Sequence, residues 1–210
     1  EKKGSENKSN YVEETVMIPI SELVDFKNHP FKVIDNDEMK LMAETIVEGG
    51  VTTPLLVRKM DNGKYEIISG HRRKFASEMV DLKEVPCIVR DLTDDEAIIQ
   101  MVTSNIQREK ILPSEKAFAY KMLLEAEKRQ GRRNDLTCVR IGHKLEHKKT
   151  RQIIAEKLGE SATNIYRYIR LTELIPELLK LVDEERIAFS PAVDISYLTK
   201  DEQKALFKIY

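Results

Sequence analysis

Through about the first ninety residues the apolar positions come in short blocks separated by turn-formers, and after that they settle into a spacing of three and four. Residues 1–10, EKKGSENKSN, show no period, and a mobile tail is expected over 1–15. VMIPISELV reads as a short strand running into a turn and helix. DNDEMKLMAETIVEGG reads as an amphipathic helix in which Met39, Met42, Ile46 and Val47 share a face, with acids at its start and Gly49-Gly50 as its stop. PLLVRK and KYEIIS are two apolar strands around Asp61-Asn62-Gly63, a strong hairpin signal because these residues accept left-handed backbone. Gly70 turns the chain into a helix whose apolar stripe is Phe75, Ala76, Met79 and Val80, and VPCIVRDL adds another buried strand.

From about residue 92 onward every pattern is helical. Thr93, Asp94 and Asp95 suit an N-cap and first turn, followed by Ala97, Ile98, Met101 and Val102 at helical spacing. LPSEKAFAYKMLLEAEKRQG opens with Pro113 and the cap Ser114 and is expected to stop at Gly131. No internal repeat is found. The fold class expected is α+β: a mixed strand-and-helix front half joined to an all-helical rear half.

Composition changes this picture little. A 210-residue chain with 41% hydrophobic and 34% charged residues has enough apolar material for one or two packed cores. No apolar run reaches the roughly 20 residues of a membrane span, and the N-terminus lacks a signal-peptide pattern, so a cytoplasmic location with no membrane partner is expected. Cys87 and Cys138 stand apart, without the spacing of a zinc site or disulfide framework. The chain starts at Glu1, so a fragment is expected. Net charge is −1, but its distribution is uneven: residues 128–151 hold nine lysines and arginines against Asp135 and Glu146. Such a run suits nucleic-acid phosphates, and a solvated linker is the alternative reading.

Three motifs carry candidate chemistry. In RQIIAEKLGESATNIYRYIRL (151–171), Ala155, Gly159 and Ile165 have the spacing of a helix-turn-helix: a small residue for close approach, a turn, and a buried branched residue on the second helix. Ser161 caps that second helix, leaving Ala162, Thr163, Tyr166, Arg167 and Arg170 as candidates to face a major groove; a plain helical hairpin shares the spacing. In SGHRRKF (69–75), Arg72 and Arg73 occupy the first turn of a helix, where the dipole is already positive. A bound nucleotide triphosphate would supply the missing negative charge; a solvated cap is the alternative. In TSNIQREKILPSEKA (103–117), Asn105 and Arg108 lie one turn apart and could face one ligand, or simply form a polar helix end.

Taken in order, GVTTPLLVRK (50–59), SGHRRKFA (69–76), SNIQREKILPSEKA (104–117) and RYIRLTELIPELL (167–179) resemble the ParB family of chromosome and plasmid partition proteins, over about Met17 to Tyr210. The resemblance implies a ParB/sulfiredoxin-like nucleotide-binding domain over 16–108 and a helical helix-turn-helix DNA-binding domain over 109–210. It implies CTP with Mg²⁺ as ligands, a parS-type double-stranded DNA site on the nucleoid, a homodimer that closes into a sliding clamp, and a ParA-type ATPase as partner. A dimerisation domain is expected to follow where this chain stops. The implied nucleotide-binding set is Thr53, Ser69, Gly70, His71, Arg72, Arg73, Asn105 and Arg108, with Asn105 also at the metal. The DNA-binding set is Arg140, Lys144, Ser161, Ala162, Thr163, Tyr166, Arg167 and Arg170.

The family's GERR is here Gly70-His71-Arg72-Arg73, its ENxQR is Ser104-Asn105-Ile106-Gln107-Arg108, and its glutamine before the strand proline is Thr53. Losing the carboxylate at Ser104 weakens the case for Mg²⁺ and hence for CTP hydrolysis, with Glu109 a possible substitute, so any enzymatic role is left at a weak CTPase. His71 is a phosphate ligand or a residue that bonds the turn. Gly70 stands where sulfiredoxins carry their reactive cysteine, which removes that redox chemistry. Two other functions stay open: a helix-turn-helix transcriptional regulator that no longer uses the nucleotide, and a nuclease.

Overall fold

The computed structural model describes residues 14–108, 110–137 and 150–209, the backbone alone at 131–137 and 151. The expectations placed on the tail before residue 14 and on Glu109, Cys138, Arg140 and Lys144 lie outside these residues. Two compact units are present, one made of Glu1–Asp25 with Asp35–Asp91, the other of Phe26–Ile34 with Leu92–Tyr210.

The first unit is built on a five-stranded sheet. Strand β1 (Thr15–Pro19) leads through a short 3-10 turn, Ile20–Glu22, into the two-residue β2 (Leu23–Val24). Helix α1 (Asp37–Gly49) follows, then β3 (Leu55–Lys59), β4 (Tyr65–Ser69), α2 (His71–Met79) and β5 (Glu84–Val89). The spatial order is β1-β5-β3-β4-β2, with parallel β2–β4 and β3–β5 pairs among antiparallel ones, so the sheet is mixed as expected. The Asp61-Asn62-Gly63 signal makes the β3–β4 hairpin, its loop closed by the Met60 N–H on the Lys64 carbonyl at 2.8 Å. The register slips between Leu56 and Val57, so that Leu56 faces Ser69 while Val57 faces Ile67. Around this bulge Glu66, Ile67 and Ile68 are all buried, Ile67 in the core cluster of the unit and Ile68 outside it. Ile18, Leu23, Leu55, Val57, Ile67, Val85 and Cys87 form the core of this unit.

Two helical stripes differ from the periodicity reading. On α1, Met39 and Ile46 are buried, but Val47 is 69% exposed; on α2, Ala76 and Ser77 are buried while Met79 is 42% exposed. Helix α1 packs against α2, and α2 against β3, each through only a narrow strip of its surface, because a 3.6-residue turn brings few positions to a single contact line.

In the second unit α3 (Asp94–Asn105) starts at the expected Thr93, which forms a full capping box with Glu96. Helix α4 (Pro113–Thr137) passes through Gly131 rather than stopping there. A glycine inside a helix costs only about 1 kcal/mol, and it terminates one only where the chain takes left-handed backbone. Ser114 is not the cap of α4 either. Pro113 is the first helical residue, and Glu115 reaches back to accept the Leu112 N–H at 3.2 Å and the Lys32 N–H at 2.8 Å. Ser114 instead donates its hydroxyl to Asp183 Oδ2 at 2.6 Å.

The remaining helices are α5 (Thr150–Leu158), α6 (Ala162–Arg170), α7 (Pro176–Asp183), α8 (Phe189–Ile195) and α9 (Lys200–Ile209), with a 3-10 turn at Leu171–Glu173. Ala117 of α4 packs with Leu171, Leu174, Ile175, Leu178, Leu181, Val182, Ala192 and Val193 in one cluster. Helix α9 is fastened by buried Gln203, whose Oε1 accepts the Ile175 N–H at 2.8 Å and whose amide donates to the Glu173 and Leu198 carbonyls. Among the described residues no helix is long and apolar enough to cross a membrane.

Candidate nucleotide and DNA interfaces

The start of α2 is shaped by Gly70, which takes φ +113°, a conformation side chains rarely adopt. A Cβ there would lie 2.7 Å from Leu55 Cγ and 3.2 Å from an Arg73 nitrogen, so the turn presses directly on β3 and on the guanidinium. Arg73 is already engaged: one terminal nitrogen donates to the Thr53 and Pro54 carbonyls at 2.5 and 2.6 Å. Burial pulls the Arg73 pKa down, partly offset by the nearby Cys87, whose thiol burial pushes up to about 11. Arg72 instead reaches Glu38 Oε2 of α1 at 3.4 Å, and it keeps a solvent-facing side. Two carbonyl dipoles and one carboxylate therefore stand among the two cations at this helix start.

Beside this turn lies a cavity of about 400 Å³ within the first unit. Leu41, Met42, Ile46 and Val51 supply its apolar wall, while Glu38, Thr53 and Arg73 supply polar edges. Its size is that of a small-ligand site, with one anion, Glu38, and one cation, Arg73, at its edge. Of the expected nucleotide set, Thr53, Ser69, Gly70, His71, Arg72 and Arg73 all belong to this unit. His71 is buried, and Ser69 sits in the sheet opposite Leu56. Glu38 was missed by sequence reasoning, because an acid in the first turn of α1 looks like dipole compensation until the fold brings it to Arg72.

Asn105 and Arg108 belong to the other unit. Asn105 is buried at the end of α3, and its amide nitrogen donates to the Met101 carbonyl at 2.7 Å. The Ser104 hydroxyl donates to the same carbonyl at 3.0 Å, and the Arg108 guanidinium lies 5.7 Å from the Phe31 ring centre. Among the described residues no group of three or more His, Cys, Asp or Glu side chains is placed to hold a metal. The donor set at Ser104–Asn105 offers neutral oxygens without a carboxylate, which does not fit a firmly held Mg²⁺.

The helix-turn-helix spacing yields α5, a turn at Gly159 with φ +67°, and α6, capped by Ser161 accepting the Asn164 N–H at 3.0 Å. Ile154 of α5 and Ile165 of α6 are fully buried. Thr163 and Tyr166 are exposed on α6, and Ala162 is half-buried. The two arginines are held by side chains that sequence reasoning did not single out. Arg167 donates to Ser190 Oγ at 2.7 Å and stands 4.9 Å from the Phe189 ring centre. Arg170 donates through Nε to Ser196 Oγ at 3.2 Å and through a terminal nitrogen to the Ser196 carbonyl, with its guanidinium 4.1 Å from the Tyr197 ring centre. Tyr168 links this region inward, with Tyr120 of α4 on one side and Phe189 on the other.

Residues 4–106 match the family model described as the ParB N-terminal domain. The nucleoid occlusion protein of Lysinibacillus sphaericus is 31% identical over 176 residues, 84% of this chain and 52% of that protein. The chromosome-partitioning protein Spo0J of Thermus thermophilus is 30% identical over 188 residues, 90% of this chain and 62% of that protein. The chain thus spans between about half and three-fifths of the length of these curated relatives. Among solved structures, the C-terminally truncated chromosome-partitioning protein ParB from Caulobacter crescentus complexed to the centromeric parS site has a TM-score of 0.55 at 23% identity. That match covers 93% of this chain and 100% of the other, and it bears on the fold.

Proposed function

Because the chain belongs to the ParB family, we propose that it binds a specific double-stranded DNA site through α6, in DNA partition or nucleoid occlusion, and that CTP switches this binding. The observation that carries the reading is the capped, packed α6 with Thr163, Tyr166, Arg167 and Arg170 on one side, the residue types that reach bases and phosphates from a groove. Dimer formation with a second copy, nucleoid localisation and a ParA-type ATPase partner belong to the same proposal.

On this reading Arg72 exchanges Glu38 for a nucleotide phosphate, and the first-turn N–H groups of α2 add donors behind it. The triphosphate brings more negative charge to this helix start than the single Glu38 carboxylate it replaces. Leu41, Ile46 and Val51 bound the apolar part of the cavity where a base would lie, with Thr53 at its edge. Arg73 keeps Thr53 and Pro54 in place. No hydrolytic step is assigned, since the Ser104–Asn105 donors do not fit Mg²⁺. The same feature favours, as a second reading, a DNA-binding regulator that has kept this fold without nucleotide turnover.

The test is calorimetric titration of CTP, with ATP, GTP and UTP as controls, into the wild-type chain and Arg72→Ala. Selective CTP binding that weakens at least tenfold in Arg72→Ala is the expected result. No heat from any nucleotide, with or without duplex DNA, leaves the regulator reading.

A further inference from the structure

Helix α6 does not present Thr163, Tyr166, Arg167 and Arg170 alone. The turn after α8 brings Ser196 and Tyr197 beside it, and the contacts there are specific. Arg170 donates twice to Ser196, once to its hydroxyl and once to its carbonyl, while its flat face lies against the Tyr197 ring at 4.1 Å. The Tyr197 side chain also lies beside that of Tyr166, the tyrosine on the outer side of α6, close enough for the two hydroxyls to interact. Tyr197 is nevertheless 61% exposed, and Tyr166 is 40% exposed. Ser196 is itself buried, its hydroxyl donating to the Val193 carbonyl at 2.6 Å, so the turn that carries Tyr197 is anchored from below.

A guanidinium that bridges a hydroxyl and a carbonyl and lies over a ring has committed its Nε–H, one terminal N–H and one face within the protein. Such an arginine is poorly placed to grip a base or phosphate as well. Yet the arrangement holds an aromatic hydroxyl pair, Tyr166 and Tyr197, together in solvent at the edge of the recognition helix. A tyrosine hydroxyl donates to DNA phosphate oxygens, and because each tyrosine carries one O–H, a pair in which one donates to the other offers the second O–H to a phosphate with little conformational entropy left to lose on binding.

We propose that Tyr197, outside the helix-turn-helix, is a DNA-contacting residue that grips the phosphate backbone together with Tyr166, and that Arg170 is its positioning residue rather than a direct reader of DNA. This rests on the DNA-binding reading of α6. Arg167 meets a single hydroxyl, Ser190 Oγ, and lies over the Phe189 ring, without the second bond to a carbonyl that holds Arg170, and on this proposal it stays the base-reading arginine of α6.

The experiment uses the full chain and a duplex that the wild-type protein selects from a random-sequence DNA pool, with affinity measured across a salt series. Tyr197→Ala is expected to weaken binding about 5- to 30-fold while leaving the melting temperature unchanged. Arg170→Ala is expected to weaken it by a similar factor without changing the salt slope, and to add nothing further in the Tyr197→Ala background. Arg170→Lys should fail to rescue, because an ammonium cannot bridge and stack in this way. A salt slope shallower by about one in Arg170→Ala, or rescue by lysine, marks a phosphate-gripping arginine and overturns the assignment. Unchanged affinity in Tyr197→Ala overturns it while leaving the DNA reading intact. If the wild-type chain binds no duplex at any salt, the DNA reading itself fails and takes this inference with it.

Discussion

Gly70 and Arg73 are locked together at the scale of single residues. The motif SGHRRKF pointed to this turn, but it presented its two arginines as equivalents, and the structure separates them by partner: Arg73 faces backbone carbonyls and Arg72 faces a carboxylate. Gly70→Ala is expected to cost about 1–3 kcal/mol, since the added methyl meets Leu55 on strained backbone; urea denaturation measures it. Arg73→Ala should lose roughly 1–3 kcal/mol in the same assay by freeing two carbonyls, whereas Arg72→Ala should stay within about 0.5 kcal/mol of wild type. Equal losses in the two arginine variants would contradict the division of labour between them. No spacing in the sequence distinguishes neighbouring arginines in this way, because the distinction comes from the loop before β3 and from α1, residues 19 to 34 positions away.

Elements were legible wherever their ends carry local chemistry. Thr93 ahead of α3, and Ser161 ahead of α6, announced their helices because a capping side chain bonds backbone only two or three residues on. Ser161→Ala is expected to destabilise α6 by about 1 kcal/mol, seen as about fivefold faster hydrogen exchange at the Asn164 amide, provided this end exchanges by local opening. Unchanged exchange there would remove the cap from the account. The start of α4 was misread for the converse reason. Its serine looks like a cap, but Asp183 lies 69 residues away and draws the hydroxyl to α7, leaving Glu115 to reach back to the Leu112 N–H. Gly131 misled in the same way, since glycine permits a helix end without requiring one.

For the molecule as a whole, burial writes a pH dependence into the first unit. The Cys87 thiol rises from 9.0 to about 11 in the fold, chiefly through desolvation, with Arg73 acting in the opposite sense. A group whose folded pKa is raised contributes stability that is complete below the unfolded pKa, so this contribution should persist to about pH 9 and fade toward pH 11. Urea midpoints for wild type and Cys87→Val at pH 8 and 10 are expected to converge at the higher value; parallel midpoints would show that the buried thiol does not drive the dependence. The α+β class, the hairpin and the helix-turn-helix were set by the sequence itself, because hydrophobic period, turn residues and caps act within a few positions of one another, whereas strand β2 stands where the pattern of VMIPISELV suggested a helix. Which stripe residues are buried, which arginine is spent on carbonyls, and that Tyr197 stands beside Tyr166 were decided only by the tertiary structure. Those facts depend on contacts between residues far apart along the chain, where the energy of a contact is determined by what the fold delivers to it and local pattern carries no record of the partner.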